Sequence, residues 1–174
     1  MKHLMIDIET LDTAPTAAVV QIGAVLFDRT EPKISQICAT VDLETALKHG
    51  TVSASTLKFW LEQDRETIKS VYLGWKPDTE AILIHLNEFM SQVDKIWSHA
   101  TFDIPVLKHF YSQMSLRCEL DENFRKCMDI RTLEMFAGDQ IEWEPREGKH
   151  HNALDDAKWQ VKHVIKMLNV MEVG

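Results

Sequence analysis

The amino-acid sequence predicts an α/β fold in which helices flank a mixed central β-sheet. A short first strand is followed by two longer strand segments joined as a hairpin, and helical and strand segments alternate after them. The 174 residues contain no internal repeat, no low-complexity segment and no linker rich in proline and glycine. We therefore expect a single domain over residues 1–174, long enough to bury a substantial core.

Five segments have the pattern of strands. The segment "HLMIDI" (3–8) is apolar on both faces, which is typical of a central strand covered on both sides. The segments at 18–28 and 33–41 are longer, and the turn residues "DRTEP" between them predict a hairpin. Shorter strands are expected at 95–97 and 126–130.

Four segments are predicted to be helices. The first, at 53–63, opens with a serine that is suited to cap it, and the second, at 78–93, carries a clear apolar stripe. The third spans 102–114 and tolerates its proline because that residue falls in the first turn. The last begins near Asn152, and its spacing predicts an inner face of Ala153, Ala157, Val161, Val164, Ile165 and Leu168.

The composition indicates a soluble protein of the cytoplasm. Apolar residues make up 45% and charged residues 26% of the chain, and we see neither a signal peptide nor an apolar run of membrane-spanning length. The three cysteines are odd in number and match no common zinc pattern, so we expect reduced thiols. The net charge of -8 argues against broad duplex binding through lysine and arginine.

Acidic residues stand at the end of one predicted strand and at the start of one predicted helix. Asp7 and Glu9 are two apart at the end of the first strand, so both side chains point to the same face. Asp103 begins a helix and shares its face with the apolar residues Leu107 and Phe110, which predicts that it points inward. Each motif alone also fits an ordinary strand end or helix start.

The stretch "KHHNALDDAKWQ" at 149–160 adds a histidine and a further acid. Asp156 lies between two alanines on the inner side of the last helix, and His151 precedes that helix by one residue. A histidine beside carboxylates is suited to accept a proton from water near neutral pH. Together these groups predict a site for two divalent cations, Mg²⁺ or Mn²⁺, because carboxylate oxygens suit hard cations.

The motifs "DIET", "HATFD" and "HNALDDA", in this order, resemble those of the DEDDh 3′–5′ exonucleases. The resemblance implies a ribonuclease H-like fold and two-metal hydrolysis of single-stranded DNA or RNA from the 3′ end to nucleoside 5′-monophosphates. It also implies that Asp7, Glu9, Asp103 and Asp156 hold the ions and that His151 is the general base. The alternatives are an oligoribonuclease or RNA-trimming enzyme, or a catalytically weak member that only binds nucleic acid.

Weaker predictions concern the substrate and the neighbouring residues. By the same resemblance Thr10 and Leu11 contact the terminal nucleotide, although a strand-exit turn explains them equally well. Phe102 precedes Asp103 and is suited to stack on a base, although core packing explains it equally well. His99 stands where relatives usually carry asparagine, and the sequence leaves its role open, as it does for His150 and Asp155. Relatives are often dimers, so a homodimer is open too.

Overall fold

The computed structural model describes residues 1–173 and contains one five-stranded sheet. Its strands are β1 (His3–Thr10), β2 (Val19–Phe27), β3 (Ser35–Thr40), β4 (Lys95–Ser98) and β5 (Cys127–Asp129), in the spatial order β3-β2-β1-β4-β5. β1, β2 and β3 pair antiparallel, whereas β4 pairs parallel with both β1 and β5. The predicted mixed sheet and the hairpin of β2 and β3 are therefore confirmed.

Eight α-helices lie within the described residues. They are α1 (Leu43–His49), α2 (Ala54–Leu61), α3 (Arg65–Tyr72), α4 (Thr79–Ser91), α5 (Asp103–Gln113), α6 (Glu119–Glu122), α7 (Ile130–Ala137) and α8 (Ala153–Val173). Single 3₁₀ turns follow α6 and α7, at Phe124–Lys126 and Gly138–Gln140. None of the described helices combines the length and apolarity that a membrane span requires.

Local capping explains where several helices begin, including two that the sequence reading missed. The Asp64 carboxylate accepts hydrogen bonds from the backbone amides of Glu66 and Thr67, and so begins α3. Asp42 caps α1 in the same way. These caps were readable in the sequence, but α1 and α3 have only seven and eight residues, too few to show a helical period clearly, which is why the prediction omitted them.

The sheet has an apolar core on each of its faces. β1 is buried along its whole length and contributes side chains to both. Its even-numbered side chains, such as Leu4 and Ile6, belong to the core shared with α4 and α5. Its odd-numbered Met5 belongs to the core shared with α7 and α8. Period two therefore places Asp7 and Glu9 on the face that α8 covers.

The inner face of α8 differs in part from the predicted one. Leu154 and Met167 are buried there, whereas Ile165 and Leu168 are only partly buried at the margin of this core. Because α8 continues to Val173 and has about 3.6 residues per turn, the buried positions shift gradually around the helix along its length. The cysteines are free thiols, of which Cys118 is buried.

Candidate active site

Asp7 and Glu9 lie side by side on the buried face of β1, with only 7% and 9% of their surface exposed. The Nε2 of Gln160, on α8, donates to Oδ1 of Asp7 at 3.0 Å. Burial and then the charge of Asp156 raise the pKa of Asp7 to about 7. Burial and the charge of Asp7 raise the pKa of Glu9 well above its usual range. These carboxylates therefore require either a proton or a cation.

Asp103 begins α5 immediately after the turn that leaves β4, and it is buried. Its Oδ2 accepts from the backbone amide of His99 at 2.7 Å, and its own amide donates to the His99 carbonyl at 2.9 Å. Burial, followed by the charge of Asp7, raises the pKa of Asp103 well above its ordinary value. Because His99 holds Asp103 through its backbone, a histidine in place of asparagine leaves this contact intact.

His151 and Asp156 complete the cluster from the start of α8. One potential ligand atom from each of Glu9, His151 and Asp156 lies within 4.8 Å of the other two. His151 has a left-handed backbone, with φ of 59°, and its ring meets Phe59 edge-on at 4.8 Å. Burial lowers the pKa of His151 and raises that of Asp156. The imidazole is therefore neutral near pH 7 and available as an acceptor or a ligand.

The close docking of α8 on β2 brings these residues to β1. Gly23 pairs with Asp7 across the β1–β2 ladder, and a Cβ on Gly23 would lie 2.2 Å from the carbonyl carbon of Ala153. The backbone amide of Ala153 donates to Oε1 of Gln21 at 2.9 Å. Glycine at position 23 thus lets the first turn of α8 reach the sheet beside the acidic pair.

Arg146 enters the cluster from the loop before α8. Its guanidinium forms an ion pair with the carboxylate of Asp156 and lies over the Trp159 ring, with Cζ 5.0 Å from the centroid. Its charge lowers the pKa of Asp156 against the effect of burial. No local pattern joins residues ten apart across a loop, so only the folded structure reveals this contact.

His150 and Asp155 have roles distinct from those of their neighbours. Asp155 accepts from the backbone amide of Lys149 at 2.9 Å and pairs with Lys158 at 3.7 Å, so it fastens the loop rather than joining the cluster. His150 is exposed, and its ring packs edge-on against His151 at 4.0 Å. His151, which has the spacing expected from the motif, is the histidine that meets the carboxylates.

A cavity of about 380 Å³ opens beside Glu9 and offers both aromatic and hydroxyl groups. Thr10 and Phe102 line it, as does Phe59, which also touches His151. Leu11 is buried and lines a neighbouring apolar groove instead. The cavity is lined by Ile8, Glu9, Thr10, Asp12, Thr13, Ser55, Thr56, Phe59, Trp60 and Phe102.

The donor set fits divalent cations such as Mg²⁺ or Mn²⁺. The four acids offer oxygen ligands, and burial is the main cause of their raised pKa values. His151 adds one imidazole nitrogen. A buried group of carboxylates is stable in its ionised form only with compensating positive charge. Arg146 supplies one such charge at Asp156.

The class of protein is given by a family model that covers nearly the whole chain. A family model described as the 3′–5′ exoribonuclease Rv2179c-like domain matches residues 2–168. The chain therefore belongs to the Rv2179c-like family of 3′–5′ exonucleases. No curated protein sequence matches it significantly.

Solved structures of the same fold are distant in sequence. The nuclease domain of 3′hExo, a DEDDh family member bound to rAMP, is 14% identical with a TM-score of 0.60, over 97% of this chain and 92% of that one. E. coli Exonuclease I in complex with a dA16 oligonucleotide is 13% identical with a TM-score of 0.64, over 97% of this chain but only 41% of its own. The predicted fold and enzyme class are thus confirmed.

Proposed function

We propose that the protein is a metal-dependent 3′–5′ exonuclease that shortens single-stranded nucleic acid, with RNA as the preferred polymer. The observation that carries this proposal is the convergence of ligand atoms from Glu9, His151 and Asp156 within 4.8 Å, beside the buried Asp7. RNA is favoured because the family description names an exoribonuclease. The related fold of Exonuclease I binds single-stranded DNA, which keeps DNA as the second candidate.

The four acids divide naturally between two cation positions. Asp7 is central, because its charge affects both Glu9 and Asp103. Glu9 and Asp156 would hold one ion and Asp103 the other, and Asp7 would complete the set of acids. Two such ions, when bound, supply a hydrolytic site that activates water and stabilises charge on the phosphate.

His151 is the general base in this proposal. Burial lowers its pKa, so the ring is neutral and has a free lone pair at neutral pH. The edge-on contact with Phe59 and the neighbouring His150 ring restrict its orientation. The imidazole accepts a proton from the attacking water, and the four acids would hold the cations that polarise the reacting phosphate.

The cavity beside Glu9 receives the terminal nucleotide. Phe102 and Phe59 offer faces on which a base can stack without regard to sequence. Hydroxyls of Thr10, Ser55 and Thr56 line the same space and suit the sugar. Leu11 contributes by packing in the adjacent apolar groove.

A single domain over 1–174, a cytoplasmic location and a homodimer stay predictions.

The decisive experiment compares 5′-labelled RNA and DNA oligomers of one sequence, incubated with Mn²⁺, with Mg²⁺ or with chelator. We expect a ladder that shortens from the 3′ end and depends on the cation. Asp7→Asn should abolish this ladder. Asp28→Asn should not, because the Asp28 carboxylate accepts hydrogen bonds within the turn that follows β2. Tight oligomer binding without any shortening would instead favour a catalytically inactive binding protein.

A further inference from the structure

The loop that carries Arg146 is anchored to α8 on both sides of that residue. Before it, the Glu144 amide donates to Nε2 of His163 at 3.2 Å, and Nε1 of Trp159 donates to the Glu144 carbonyl at 3.3 Å. After it, Glu147 pairs with Lys162 at 2.6 Å. The backbone that carries Arg146 is therefore held in place beside the cluster.

The guanidinium lies between an apolar platform and a carboxylate. It stacks over Trp159 on one side and pairs with Asp156 on the other, and its side chain is 28% exposed against 13% for Asp156. Its charge also acts on Asp7 and Glu9, since it lowers the pKa of both. Arg146 thus partly neutralises three of the four acids.

This contact conflicts with the use of Asp156 as a metal ligand. The Asp156 carboxylate belongs to the group formed with Glu9 and His151, yet one of its oxygens is occupied by the guanidinium. A divalent cation at this carboxylate would be repelled by the positive guanidinium beside it, so the ion pair competes with metal binding. Either the arginine moves or the ion binds weakly.

We propose that Arg146 is an exchangeable counter-ion, which neutralises Asp156 in the metal-free protein and yields it to a divalent cation. The released guanidinium then binds a phosphate of the substrate. Guanidinium groups pair with carboxylate and phosphate by the same bidentate geometry, so one side chain serves both states. The partial exposure of Arg146 leaves it room to move, and the Trp159 ring gives it an apolar surface to slide on. This inference rests on the proposed metal-dependent activity.

The first test is calorimetric titration of the metal-free protein with Mn²⁺ alone. We expect Arg146→Gln to bind Mn²⁺ about tenfold more tightly than wild type, because a competing cation has been removed. Arg146→Lys should stay near wild type. Arg117→Gln removes an arginine that pairs with Glu119 and Glu122, outside both the cluster and this loop, and should leave the Mn²⁺ affinity unchanged.

The second test measures the affinity of AMP in saturating Mn²⁺. Arg146→Gln should bind AMP about tenfold more weakly, since one phosphate contact is lost, and Arg146→Lys should recover part of that loss. Thermal melts of the metal-free variants check that each is folded. We expect metal-free Arg146→Gln to melt at a lower temperature than wild type, and we expect Mn²⁺ to remove this difference.

The outcomes separate this inference from the proposed function. If wild type binds Mn²⁺ and Arg146→Gln binds it no more tightly, Arg146 is an ordinary structural ion pair and the exchange is overturned, while the nuclease proposal stands. Unchanged AMP affinity in Arg146→Gln overturns the phosphate contact. If no variant binds Mn²⁺, both proposals fall together.

Discussion

Gly23 lies directly beneath Ala153, so close that a Cβ on the glycine would come within 2.2 Å of the Ala153 carbonyl carbon. The atoms that it would meet belong to the backbone of the first turn of α8, which cannot move aside as a flexible side chain can. That turn carries Asp156 and follows His151. The distance between β2 and α8 therefore sets the positions of Asp156 and His151 relative to Asp7.

Gly23→Ala should destabilise the protein and impair metal binding together. The added methyl pushes the start of α8 from the sheet, and overpacking of this kind costs roughly 1–3 kcal/mol. Thermal unfolding measures the first effect, and Mn²⁺ titration of the folded fraction measures the second.

Gly138→Ala is the matched control for this substitution. Gly138 has a right-handed helical backbone, and a Cβ there would meet its nearest neighbour, a ring carbon of Trp143, at an ordinary 3.6 Å. We expect unchanged metal affinity and equal or slightly greater stability, since alanine also restricts the unfolded chain. Similar losses in both variants would contradict the role assigned to the Gly23 contact.

His151→Ala should reduce the rate of cleavage by about 10²–10⁴, which is the usual contribution of a general base. His150→Ala should have a much smaller effect, because His150 is exposed and touches the cluster only through the His151 ring. Single-turnover cleavage of a labelled RNA oligomer measures both variants. Equal losses would mean that the two histidines act as a pair, and the assignment of one base would fail.

Phe102→Ala should weaken substrate binding more than it slows the chemical step. The ring lines the cavity beside Glu9, and stacking of a base on an aromatic ring contributes about 1–3 kcal/mol. We therefore expect KM to rise by roughly 5- to 150-fold with a smaller change in kcat. Phe124, whose ring is 63% exposed and lies outside the cavity, provides the comparison, and Phe124→Ala should leave KM unchanged.

The sequence predicted those parts of the site that depend on local periodicity. Period two placed Asp7 and Glu9 on one face, and helical spacing turned Asp103 inward. Gln160 and Arg146 escaped prediction because their contacts with Asp7 and Asp156 join distant parts of the chain or cross an irregular loop. Gly23 carried no signal either, since a glycine in a strand does not reveal which backbone approaches it.

Asp7→Asn should stabilise the metal-free protein at alkaline pH. Burial and the charge of Asp156 raise the pKa of Asp7 from 3.8 to about 7, so between these values the folded protein holds a proton that the unfolded chain has released. The contribution of Asp7 to stability is therefore fully present below about pH 4 and is lost as the pH rises through about 7. Asparagine removes that loss and keeps an oxygen to accept from Gln160.

The informative quantity is the difference in melting temperature between wild type and Asp7→Asn, because groups that do not interact with Asp7 contribute equally to both. Glu9 and Asp103, whose pKa values the Asp7 charge raises in addition to burial, shift the difference in the same direction as Asp7 itself. In chelator this difference should be small near pH 4 and should favour the variant by several degrees near pH 8, given that 1 kcal/mol corresponds to roughly 2–4 °C for a protein of this size. Addition of Mn²⁺ near pH 8 should reverse the order, since the cation stabilises only a protein that retains the Asp7 carboxylate. A variant that is less stable than wild type in chelator near pH 8 would contradict the raised pKa, and a variant that gains as much from Mn²⁺ as wild type would remove Asp7 from the metal site.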